Sequence, residues 1–140
     1  SIVPTKINYN YSLMQQNLSI LKSFYPFLSI QIVGKSILSK NIYVIKLGNG
    51  PKEVFYSGSI HANEWITSTL LMKFIEDYCI SYNTNSTLYN YSVQKLFNNV
   101  TIYIMPMVNP DGVDLVTGNI PKRPILLFIL KISVRIFSTY

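Results

Sequence analysis

The runs EVFYSGSI, beginning at Glu53, and VTIYIMPMV, beginning at Val100, are apolar and rich in β-formers, and one helical stretch lies between them. From Asn63 or Glu64 to about Tyr82 the apolar residues, among them Trp65, Leu70, Met72, Ile75 and Cys79, cover much of a helix's circumference, which predicts a largely buried helix. Strand, helix and strand in this order predict a parallel βαβ unit, because parallel neighbours need a crossover of a dozen residues or more. The run EVFYSGSI lacks polar alternation, so burial on both faces is expected, and VTIYIMPMV is expected to be a second buried strand. This unit places the chain in the α/β class.

Upstream, Leu13, Met14, Leu18, Leu21 and Phe24 or Tyr25 recur at helical spacing, with Ser12 as the expected N-cap and Pro26 as the stop. IQIVGKSI and NIYVIKLG predict a hairpin joined around Ser39, Lys40 and Asn41. GNGPK is turn chemistry, NTNSTLYN a polar loop and SVQKLFNN a short helix. After the second buried strand, NPDG has the residues of a type I turn, in which Asn109, Pro110, Asp111 and Gly112 shape the strand exit and touch no substrate.

At 140 residues, with 49% apolar and 13% charged residues, the chain suits one packed domain rather than a disordered one. The net charge of +6 is unevenly placed. Residues 1–118 hold eight Lys and all six acids, whereas residues 119–140 hold Lys122, Arg123, Lys131 and Arg135 and no acid. The body therefore has no basic stripe, and a nucleic-acid partner is not expected. Nothing reaches the roughly 18 apolar residues of a membrane span. Cys79 is the one cysteine, which excludes an internal disulfide and suits a small apolar residue in a helix.

His61 is the one histidine, and Glu64 stands three residues after it in GSIHANEWI. A catalytic zinc commonly takes three protein ligands, His₂Glu among them, and leaves a fourth place for water. The first strand of the βαβ unit would deliver His61 to its carboxyl end, where open α/β sheets hold their ligands, and Glu64 would open the following helix close to the same ion. The ordinary alternatives are a histidine bonded to neighbouring backbone and a first-turn glutamate favoured by the helix dipole.

GSIHANEWITSTLLMKFIEDY and IYIMPMVNPDGVDLVTG, in this order, resemble the zinc-binding segment of the zinc carboxypeptidase family and its next buried strand with an N-P-D-G turn. GPKEVFYSGSIHANEWI and PMVNPDGVDLV are most similar to the bacterial branch that cuts γ-D-glutamyl-diamino acid bonds in cell-wall peptides. The likeness runs over about residues 9–118. It implies the N-terminal part of a three-layer α/β/α fold on a mixed sheet, a zinc ion held by His61 and Glu64, and a peptide or peptidoglycan-stem-peptide substrate. It also implies a bacterial envelope, secreted or spore setting. Digestive members carry Arg where this chain has Asn63; that neutral side chain, a candidate substrate contact, suits the cell-wall branch better, since a guanidinium grips a free carboxylate in two places.

The family's third zinc ligand, a second His, and its general-base Glu have no counterpart here, because no other histidine exists and the last acid is Asp114. Cys79, fifteen residues along the same helix from Glu64, lies about 22 Å away and does not reach; Asp111 and Asp114 are geometrically conceivable ligands. The expectation is a partial peptidase domain over 1–118, with weak metal binding and negligible hydrolysis, followed by an unmatched basic and apolar tail over 119–140. Alternatives are a non-catalytic module that binds peptide or wall fragments, and a tail that lies on a membrane surface. The tail's composition suits a shifted reading frame. Sequencing downstream of the gene should then reveal peptidase-like codons in another frame, and finding none rejects the shift.

Overall fold

The computed structural model describes residues 1–120. Expectations for the tail beyond residue 120, whether frame-shifted segment or membrane-surface anchor, lie outside the described residues. The chain runs α1 (Tyr11–Phe24), β1 (Ser29–Lys35), β2 (Asn41–Leu47), β3 (Lys52–Ser57), α2 (Trp65–Asn83), the short β4 (Thr87–Leu88) and β5 (Tyr91–Ser92), α3 (Val93–Asn99), β6 (Val100–Met105) and α4 (Pro110–Val116). Four strands form one mixed sheet in the order β1-β2-β6-β3. The hairpin β1–β2 and the pair β2–β6 are antiparallel, and β3 joins β6 in parallel. The βαβ unit and the hairpin are therefore as the sequence predicts.

Pairing in register puts Ile45 opposite Ile104 and Leu47 opposite Ile102, so these four share one face. All four are buried, in one cluster with Met14, Leu18 and Leu21 of α1 and Met72, Ile75 and Cys79 of α2. The helices thus pack on a single face of the sheet, and the described residues supply the sheet and one helical layer. Side chains at positions 3.6 residues apart make this possible on α1, where every buried residue from Tyr11 to Leu21 falls on one stripe.

Several local expectations are corrected. The N-cap of α1 is Asn10, whose Oδ1 accepts from Leu13 N–H at 2.9 Å; Ser12 lies inside the first turn. β3 is exposed along its whole length, Phe55 at 57%, although its apolar run predicts burial. The cause is its place at the sheet edge: among the described residues only β6 pairs with it, and no helix covers the face bearing Phe55. The helix α2 is likewise two-sided, with Met72, Ile75 and Tyr78 in the core and Ile66 and Leu70 exposed. The loop from Asn83 contains the small hairpin β4–β5, its turn made by Tyr89 and Asn90 at positive φ. Asn109 and Pro110 do not form an isolated turn. They start α4, with Asn109 as N-cap and Pro110 in the first helical turn, where a missing N–H costs nothing.

Buried charges tie the layers together. Asp114 on α4 accepts from Tyr11 N–H at 2.9 Å and from Lys40 Nζ at 2.5 Å, while Asp111 accepts from Ser36 Oγ and Leu38 N–H. One lysine and two carboxylates thereby bind the hairpin turn and the start of α1 to α4. Glu76, 1% exposed, is met by the backbone N–H groups of Ile2 and Val3, by Ser1 Oγ and by Lys73. Burial alone would raise its carboxyl pKa; these donors reverse the effect and hold it below the ordinary range.

Gly50 sits where the turn between β2 and β3 crosses the start of β6, and Thr101 Oγ1 donates to its carbonyl at 2.8 Å. A Cβ there would overlap the backbone of Asn99 and Val100. Gly50→Ala is therefore expected to cost at least about 2–3 kcal/mol, as overpacking against rigid main chain does; urea unfolding followed by circular dichroism measures it.

Candidate metal centre

β3 ends at Ser57, and its partner β6 ends at Met105, directly opposite in the parallel register. Hydrogen bonds continue past both ends: Gly58 N–H donates to Met105 O, Val108 N–H to Gly58 O and Asn109 N–H to Ser59 O, each within 3.0 Å. The two strand exits therefore leave the sheet side by side. Ser59 takes a φ of 50°, a left-handed value that turns the chain sharply. Residues 60–63 then form a short bend, and Glu64 caps α2 without a capping bond from its own side chain.

That bend brings His61 and Glu64 together. Nδ1 of His61 lies 2.8 Å from Oε1 of Glu64, and His61 N–H donates to Oε2 at 3.3 Å. Both side chains face solvent, 55% and 43% exposed. The hydrogen bonds from the His61 side chain and then from its backbone hold the Glu64 carboxyl below the usual carboxylate range. Because that pKa is lowered in the folded chain, the pair's contribution to stability is present above the ordinary carboxylate range and is lost as the pH falls through the lowered value.

The donor set suits a divalent transition metal in part. Two ligands on a tetrahedral zinc with bonds of about 2.0–2.1 Å stand about 3.3 Å apart. The observed 2.8 Å needs a small outward swing of two side chains that are 55% and 43% exposed. Among the described residues, however, no three His, Cys, Asp or Glu side chains gather into one group. Asp111 and Asp114 are not available as a third ligand, because they are buried and engaged with Lys40, Ser36, Leu38 and Tyr11. Cys79 lies in the core, where burial pushes its thiol up to about 12 and keeps it protonated. Glu53 accepts from Tyr103 Oη on the sheet, and Glu76 holds the N-terminal segment, so neither reaches the pair. Asn63 is exposed on the bend between the two candidate ligands.

The sequence reading passed over the hydroxyls around this bend. Ser59 N–H donates to Thr67 Oγ1 at 2.7 Å, and Thr67 Oγ1 donates back to Glu64 O at 2.8 Å. The signal was present in ITST, where a hydroxyl three residues after the cap returns to the cap's carbonyl. Gly112 matters in the same place: a Cβ would come 2.9 Å from Ala62 Cβ and 2.6 Å from Asn109 Nδ2. The start of α4 thus presses on the bend through a position with room only for hydrogen.

The protein-family model for zinc carboxypeptidases matches residues 14–123. The chain is 41% identical over 119 residues to gamma-D-glutamyl-L-diamino acid endopeptidase 1 of Lysinibacillus sphaericus, covering 85% of this chain and 30% of that protein. It is 32% identical over 108 residues to carboxypeptidase B of Astacus astacus, covering 74% of this chain and 33% of that one. Its fold matches the crystal structure of carboxypeptidase A from Helicoverpa armigera with a TM-score of 0.65 at 22% identity, over 84% of this chain and 28% of the other. The chain spans about a third of the length of these relatives.

His61→Ala should let the Glu64 carboxyl return upward towards its ordinary range. The carboxyl carbon shift of Glu64, followed by NMR against pH, tests this; an unmoved midpoint would mean that His61 is not what lowers it.

Proposed function

The chain belongs to the zinc carboxypeptidase family, and from that premise we propose that it forms the N-terminal part of a metallopeptidase domain, contributing His61 and Glu64 as two ligands of one zinc ion. The observation that carries this reading is the contact between Nδ1 of His61 and Oε1 of Glu64 at the joint exit of β3 and β6. Both groups are exposed, so an ion and a substrate could reach them together.

When bound, the zinc would acidify a water and polarise the carbonyl under attack. The chain's own part is to present an imidazole nitrogen and a carboxylate, and the lowered Glu64 pKa keeps that carboxylate ionised. Protonation of the Glu64 carboxylate at low pH would therefore compete with the ion. The described residues offer no third ligand and no further carboxylate gathered with the pair to act as base. Hydrolysis by this chain alone is accordingly expected to be negligible.

The identity with the Lysinibacillus enzyme supports γ-D-glutamyl-diamino acid bonds of cell-wall stem peptides as the substrate class. Asn63, between the two ligands, would offer a neutral amide to such a peptide. A cell-wall substrate would place the protein at the bacterial envelope, secreted or associated with the spore. A second reading, a non-catalytic module that binds peptide or wall fragments, is favoured by the two-ligand count.

Zinc bound at equilibrium dialysis, measured for the native chain and for His61→Ala, tests the site. The proposal expects zinc in the first sample and little in the second, whereas equal content would remove His61 as a ligand. Release of diamino acid from a γ-D-glutamyl peptide should stay at blank level; turnover above blank would show that a base is present after all.

A further inference from the structure

We propose that the hydroxyls of Ser59, Thr67 and Ser68 are positioning residues that fix the main chain carrying His61 and Glu64, so that the two side chains can share one metal ion. This inference rests on the zinc reading above. Backbone hydrogen bonds tie Gly58 and Ser59 to the exit of β6, but beyond them the bend is thinly held: His61, Ile60 and Asn63 are exposed, and of its side chains only Ser59 and Ala62 are buried.

Ser59 is a strange residue for core burial. It is 1% exposed, polar and held at a positive φ that glycine would accept more readily. Its partners explain it. Ser59 Oγ lies 2.6 Å from Ser68 Oγ and 3.0 Å from Glu64 O, and Ser68 Oγ donates to Pro106 O at 2.6 Å. Ser68 has one proton, and Pro106 O takes it. The carbonyl of Glu64 is already met by Thr67 N–H and Thr67 Oγ1. The proton of Ser59 therefore goes mainly to Ser68, which orders a chain from Ser59 to Ser68 to Pro106.

This chain joins three separate pieces of backbone. Pro106 follows β6, Ser68 lies in the first turn of α2, and Ser59 begins the bend that carries His61. Thr67 adds a clamp, accepting from Ser59 N–H while donating to Glu64 O, so the main chain at each end of the bend is tied to one hydroxyl. Each member is satisfied and largely shielded from water, the condition under which such a network fixes one geometry. None of the three hydroxyls meets the metal pair itself. Their role is to fix the main chain from which its two halves project.

The test is the zinc dissociation constant of the full chain, measured by competition with a chromophoric chelator, beside thermal unfolding of each variant. Thr67→Val keeps the shape and deletes the hydroxyl; zinc affinity should fall about 10–100-fold, the usual effect of losing an outer support. Thr67→Ser keeps the hydroxyl and should bind within a few-fold of the native chain. Ser59→Gly removes the hydroxyl while accommodating the positive φ, so it serves where a valine variant fails to fold, and it should weaken zinc similarly. Native affinity in Thr67→Val or in folded Ser59→Gly, with binding still dependent on His61, overturns the positioning role and leaves the zinc reading standing. Zinc bound equally by the native chain and His61→Ala, or by neither, overturns the zinc reading and the network's role with it.

Discussion

The parallel pairing of β3 with β6 is the constraint from which the rest of the molecule follows. It runs without a slip from Lys52 opposite Val100 to Ser57 opposite Met105. It then continues as isolated hydrogen bonds into the segments beyond, as far as Asn109 on Ser59. Two chain segments about 50 residues apart in sequence therefore leave the sheet at one point. One of them turns into the bend with His61 and the cap of α2; the other turns into Asn109 and α4. A pair of strands that slipped by one residue would turn every side chain to the opposite face and part the bend from the helix that presses on it.

Burial sorts the carboxylates into different employments. Glu76, Asp111 and Asp114 are nearly inaccessible, and each is met by backbone N–H groups, hydroxyls or a lysine. A buried carboxylate without such donors would be costly, so these residues hold layers together because they are fully occupied. Glu64 is the reverse case. Half exposed, its carboxylate bonds among the described residues only to His61 three residues away, and no distant described segment uses its charge. A group that joins no layers of the fold is one whose chemistry remains free.

The sequence made the architecture legible where periodicity and order agree. The hairpin, the crossover and the parallel partner strand could be read because each depends on local pattern and on the right length between elements. The adjacency of His61 and Glu64 was legible for a similar reason, since three residues at a helix start place both on one side. Other features were hidden. The exposure of β3 could not be read from VFYS, because the pattern reports what a strand is suited to and not which neighbours cover it. Asp111 and Asp114 looked free in sequence, and only the fold brings Lys40, more than 70 residues away, onto them. The hydroxyls of Ser59 and Ser68 were equally mute, since serine is common on surfaces and its burial arises from three segments meeting. Ser12 for Asn10 was a smaller error, of the kind expected where two capping residues stand close together.

Cys79 gives the protein a built-in reporter. Its thiol is fully enclosed beside Ile75 and Tyr78 and stays protonated well past neutrality. Alkylating reagents attack thiolates that they can touch, so this sulfur is silent in the native state and is labelled only during excursions that lift α2 from the sheet. Labelling rates at a single natural atom would thus read out the opening of the core, with no probe introduced.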